Sequence, residues 1–219
     1  AFESVGAKVT SVHVNRLIDD PSIGQGHQIL CFPGGFSYGD DIAAGRILAQ
    51  RLQVHLRDLI EAFRQEQRLV LGICNGFQVM MRLGIFFPGQ ESHPPATLTL
   101  NHQARFEDRW VQLANANSNS VFLQGVESMY LPMAHAEGRF VIGDAKTQQE
   151  LSQRGQLGLR YTDDSRQVAD TPLPFPHNPN GSQLNVAGIS DPSGRVFGLM
   201  PHPERYLEPT QHPFWTRSE

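Results

Sequence analysis

The chain has 219 residues, a formal net charge of −4 and 39% hydrophobic residues, enough apolar material for one α/β domain of ordinary size. It contains no uninterrupted run of about 18 apolar residues, which argues against a membrane-spanning helix. No basic cluster stands out, which argues against nucleic acid as the principal ligand.

Ala1 to Ala7 reads as the tail of a helix stopped at Gly6. Lys8 to Val14 alternates polar and apolar positions and predicts a strand, and Arg16 to His27 predicts a loop. Gln28 to Phe32 is a short apolar run ending at Pro33-Gly34-Gly35, the pattern of a buried parallel strand feeding a turn. Asp41 to Arg64 predicts helix in two pieces. Leu69 to Ile73 predicts a strand, and Asn75 to Leu83 a helix with apolar residues at 77, 80, 81 and 83. This strand–loop–helix order predicts a mostly parallel sheet covered by helices.

After Pro88 the pattern changes. Thr97 to Leu100, Phe106 to Leu113, Met129 to Met133 and Arg139 to Ile142 predict antiparallel strands. Ala145 to Arg154 predicts a helix ahead of Leu157 to Tyr161. Pro172 to Ser182 predicts a loop, and Asn185 to Ile189 with Arg195 to Met200 a hairpin around Asp191-Pro192-Ser193-Gly194. No linker is visible, so residues 1–219 read as one domain.

The chemistry starts at Gly72-Ile73-Cys74-Asn75-Gly76, a cysteine at a strand-to-helix turn between two glycines. This is the G-x-nucleophile-x-G elbow with cysteine in place of serine. The helix start behind it is expected to lower the thiol pKa. A cysteine nucleophile needs a base, a group that orients the base and an oxyanion hole. Met200 to Arg205 offers the first two. His202 precedes a proline and is biased to an extended backbone, and in an extended segment His202 and Glu204 face the same side. A carboxylate beside an imidazole fixes its tautomer and supports the imidazolium. The Asn75 N–H and the Gly34-Gly35 turn are candidate oxyanion donors. Cys31 and Cys74 form no CxxC pair, so a disulfide framework is not expected and a reducing compartment fits. Nine histidines without metal-ligand spacing predict no metal site.

Three strings, Pro33 to Asp40 (PGGFSYGD), Gly72 to Gln78 (GICNGFQ) and Pro201 to Arg205 (PHPER), stand in the order of the class I, triad-type glutamine amidotransferases, with their flavodoxin-like fold. Within that family the chain resembles the branch that works in phosphoribosylformylglycinamidine synthase. Ala134 to Arg139 and Asn178 to Ser182 resemble it too. The resemblance implies that Cys74 attacks the side-chain amide of glutamine, His202 shuttles the proton and Glu204 orients His202. It implies that Gly35 and Asn75 hold the oxyanion and that Gln78 contacts the substrate. Ammonia would pass to a synthetase partner, with or without a small accessory subunit. That partner would bind ATP and magnesium and amidate formylglycinamide ribonucleotide in the cytoplasm. No Walker loop is present, which agrees with an ATP site elsewhere.

The chain departs from that pattern in two places. Ala136 stands where the family commonly has glycine, within His135-Ala136-Glu137-Gly138; His135 and Glu137 read as a polar loop near the partner rather than as a second acid–base pair. The family also begins with a strand ahead of Ala1. The resemblance implies that this strand belongs between Lys8–Val14 and Ile29–Phe32, so that an N-terminally truncated chain would leave a gap there. The rival readings are a γ-glutamyl hydrolase, which the 36–40 string does not favour, and a hydrolase of the intracellular-protease or deglycase-like type. The latter usually has histidine directly after the cysteine, where this chain has Asn75. A non-enzymatic binding module would not need the nucleophile, base and acid that are all present.

Overall fold

The computed structural model describes residues 1–40, 42–169 and 171–217. Its main sheet has seven strands in the order β1-β2-β9-β8-β7-β4-β5. The parallel part is β1 (Ile29–Phe32), β2 (Leu69–Ile73) and β9 (Val196–Leu199). The rest is antiparallel: β8 (Val186–Ser190), β7 (Leu159–Thr162), β4 (Glu107–Asn115) and β5 (Ser128–His135). β3 (Ala96–Thr99) pairs instead with β6 (Arg139–Ile142) in a small antiparallel sheet.

The predicted helical stretch after residue 41 forms α2 (Arg46–His55) and α3 (Arg57–Gln65), broken at Leu56; Asp41 itself lies outside the described residues. α4 (Asn75–Leu83) follows β2 after the single residue Cys74. Its burial is nearly complete, with Phe77, Val79 and Met80 among the most enclosed residues of the core. Gly76 explains how α4 lies so close to β1: a Cβ there would collide with the Phe32 carbonyl oxygen. α5 (Ala145–Gln153) is capped by Asp144, whose carboxylate accepts the Thr147 N–H at 2.9 Å.

Lys8 to Val14 does not form a strand. Residues 7–13 have no regular structure and are largely exposed, and α1 (Val14–Asp19) begins where the strand was predicted to end. His13 accepts the Asn15 N–H and starts that helix. Alternation makes a strand only beside a sheet edge that can accept its hydrogen bonds, and no described strand pairs with residues 8–13. β1 is the end strand of the sheet, so the predicted pair of strands flanking an empty slot is not formed. The predicted loop at 16–27 is also part helix, ending in a 3₁₀ turn at Pro21–Gly24. At the start, the helical tail is a single 3₁₀ turn, Glu3–Val5, stopped by Gly6 at φ 85°.

Candidate active site

β2 delivers Cys74 to the carboxyl end of the parallel strands, the usual location of ligands in such sheets. Cys74 has φ 51° and ψ −107°, an unfavourable conformation for a residue with a side chain and the mark of the strained elbow. β9 runs beside β2 in parallel register, Ile73 opposite Leu199, and its continuation brings His202 to the same end.

His202 is 1% exposed. Its Nδ1–H donates to Glu204 Oε1 at 2.6 Å, which leaves Nε2 as the lone-pair acceptor, with no hydrogen-bond partner. The pairing forms in a different way from the sequence expectation. Pro203 to Arg205 is a 3₁₀ turn rather than an extended segment, and the turn folds Glu204 back onto the ring. Burial pushes the Glu204 carboxyl up, but the hydrogen bond from His202 and its charge outweigh this and hold it below the ordinary value.

Gly34 lies against both the base and the elbow. A Cβ at Gly34 would lie 2.9 Å from His202 Cε1 and 3.6 Å from Cys74 Cβ. Any larger residue there would push the imidazole away from the elbow. Gly35 has open space around it and a φ of +145°, and it borders a cavity of about 250 Å³. Cys74, Gln78, Asp40 and the 134–137 turn form the other walls.

The Cys74 thiol donates to the Ala134 carbonyl at 3.6 Å. Burial pushes it up to about 11, against the pull of the Asn75 backbone N–H. The expected lowering by the helix start is therefore overturned, because removing the thiolate from water outweighs one favourable dipole. In this state the nucleophile is a thiol.

The wall opposite the elbow is held by amides. Gln78 Nε2 donates to the Glu137 carbonyl at 2.6 Å and its Oε1 accepts from Asn75 Nδ2 at 3.0 Å. Asn75 Nδ2 also donates to Asp40 Oδ1, and Asn75 Oδ1 accepts the Ser37 N–H. Asn101 pegs the turn from behind. Its Oδ1 accepts from His135 Nδ1 and the Gly138 N–H, its Nδ2 donates to the His135 carbonyl at 2.8 Å, and its own N–H donates to the Ala136 carbonyl. Asn180, fully buried, donates to the Gly138 carbonyl at 2.8 Å.

His135 and Glu137 are not paired with each other. Glu137 accepts the Ala44 N–H just ahead of α2, and His135 is 2% exposed on the Asn101 peg. His135 is thus a buried wall residue of the cavity. Burial, with the neighbouring His202 adding to it, depresses its pKa to about 3. Ala136 does not adopt a positive φ, so replacing the family glycine brings no backbone strain. Sequence reasoning missed Gly34 as the spacer, Asp40 as a cavity wall and Asn101 as the peg. The Asn178–Ser182 string was visible but its role was not, and Asn101 carries no local signal.

The family model described as a CobB/CobQ-like glutamine amidotransferase domain matches residues 1–219. The phosphoribosylformylglycinamidine synthase subunit PurQ of Dehalococcoides mccartyi is 43% identical over 217 residues, 98% of this chain and 82% of the relative. The subunit of the same name from Methanococcus maripaludis is 42% identical over 214 residues, 97% of this chain and 78% of the relative. Among solved structures, PurLQS from Thermotoga maritima superposes with a TM-score of 0.64 at 30% identity, over 85% of this chain and 74% of that one.

Proposed function

Because this chain belongs to the CobB/CobQ-like glutamine amidotransferase family, we propose that it is the glutaminase subunit of a phosphoribosylformylglycinamidine synthase. The relatives that match nearly its whole length carry that name. The observation that supports the chemistry best is the His202–Glu204 bond, with Nε2 left without a partner and Gly34 leaving room for the ring beside the elbow.

Glutamine enters the cavity beside Gln78. His202 Nε2 takes the Cys74 proton as sulfur attacks the side-chain carbonyl carbon. The Asn75 and Gly35 N–H groups receive the oxyanion, where fixed donors act most strongly. His202 then gives its proton to the departing nitrogen, and ammonia leaves behind a glutamyl thioester. Water, activated by the same imidazole, cleaves the thioester to glutamate and restores the thiol. Glu204 holds the imidazole in the tautomer that both transfers need.

The ammonia serves a synthetase subunit that amidates formylglycinamide ribonucleotide, with or without an accessory subunit. ATP and magnesium bind on that partner, and this chain supplies no metal or cofactor chemistry. No helix among the described residues is long and apolar enough to cross a membrane.

The test is Cys74→Ala in the reconstituted complex. Glutamine-dependent amidation should vanish while amidation driven by added ammonia persists. Equal loss with both nitrogen donors would refute the role.

A further inference from the structure

We propose that Trp110, on the outer face of β4, is a positioning residue for the catalytic carboxylate, acting through Tyr206 and Pro132; this rests on the Cys74–His202–Glu204 reading. Glu204 is tied to His202 through a single oxygen, Oε1, at 2.6 Å. Its Oε2 has no hydrogen-bond partner, and the Arg205 guanidinium stays 4.0 Å from Oε1. The 3₁₀ turn that aims it closes through two long bonds, from Arg205 N–H to the His202 carbonyl and from Tyr206 N–H to the Pro203 carbonyl, each 3.2 Å. Both lie at the long end of the ordinary range, so contacts from outside the turn help to fix its ends.

Trp110 reaches one end directly, through Tyr206, and the other through Pro132. It lies directly opposite Pro132 in the β4–β5 ladder, and the Pro132 carbonyl accepts the His202 N–H at 2.8 Å. At the other end the Tyr206 ring stands edge-on to Trp110, centroids 4.8 Å apart at 90°, the favoured geometry for an aromatic pair. His212 closes on the same indole at 4.4 Å. The segment after the triad is thereby folded back on itself: Gln211 Oε1 accepts the Leu207 and Glu208 N–H groups. Trp110 thus clamps the chain on either side of Glu204 while bordering no part of the cavity that holds glutamine.

The experiment uses the complex reconstituted with its synthetase subunit and compares Trp110→Leu, Trp110→Phe, Glu204→Gln and the Leu–Gln double variant. Trp110→Leu should lower kcat of the glutamine-dependent reaction about tenfold, a part of the about 10²–10⁴-fold that a well-placed proton-transfer group contributes. KM for glutamine and the ammonia-driven rate should stay unchanged. Trp110→Phe, which keeps a ring against Tyr206, should recover most of kcat. Added to Glu204→Gln, Trp110→Leu should cause no further loss, because both act on one orientation. A raised KM at unchanged kcat, or a full additional loss in the double variant, overturns the proposal in favour of a structural role. If thermal unfolding shows that Trp110→Leu does not fold, Tyr206→Leu removes the other ring of the same contact and carries the same cycle. Absence of any glutamine-dependent turnover in the unmodified complex would sink the glutaminase reading, and this proposal with it.

Discussion

Acidification should weaken the fold through His135. Its native pKa is about 3, pushed down from 6.5 by burial. The unfolded chain takes up a proton on this side chain below about pH 6.5, whereas the native state refuses it until about pH 3. Between those values the unfolded state binds more protons, so stability rises with pH and is lost on acidification. At pH 5.0 the gap of about 1.5 pH units corresponds to roughly 2 kcal/mol, at about 1.4 kcal/mol per unit. For a chain of this size that lowers Tm by about 4–8 °C. The assay is thermal unfolding at pH 7.5 and 5.0 for the unmodified chain and for His135→Gln, which keeps a donor for Asn101 but cannot titrate. The variant starts less stable, because Gly138 packs directly on the ring, but it should lose about 2 kcal/mol less on acidification. Equal losses in the two proteins, or a His135 ring resonance titrating near its ordinary value, would refute the reasoning.

Cys74 in the isolated chain should be alkylated by iodoacetamide about 100-fold more slowly than an ordinary cysteine at pH 7.5, because its pKa stands about two units above 9.0; peptide mapping gives the rate, and reaction as fast as in the denatured chain counts against a buried resting thiol. Among triad variants assayed in the complex, His202→Ala should be the more severe, with about 10²–10⁴-fold lost as the proton shuttle goes, whereas Glu204→Gln keeps the shape and disturbs orientation only; the reverse order would mean the roles are wrongly assigned.

The elbow was legible because its signals are local: an apolar run, two glycines and a helix pattern within fifteen residues. The hairpin at Asp191 to Gly194 was legible for the same reason. Strands beyond Pro88 could be placed, but not their partners. β3 joins β6, and β4 sits between β5 and β7, choices made by tertiary packing that no short window contains. Lys8–Val14 was misread because alternation records only what a segment could do beside an edge. His202 and Glu204 were correctly paired on a wrong premise, since the residues after His202 form a turn rather than an extended strand. The Cys74 pKa was misjudged because burial depends on the whole fold. Asn101 was invisible because an asparagine outside any motif reads as a turn residue until its bonds to the 135–138 turn can be seen.

The adjacency of β2 and β9 has a consequence for the order in which the protein is made. Ile73 and Leu199 face each other across one ladder, yet most of the chain is synthesised between them. The growing polypeptide carries its nucleophile from early on, without the strand that gives the nucleophile's strand its second neighbour and without the base that follows it. β2 must wait with one edge open while the antiparallel half emerges, a slow, long-range closure of the kind that limits folding rate. Nothing that binds ammonia's precursor can turn it over in that interval. Catalytic competence is therefore reached only after β9 has docked beside β2.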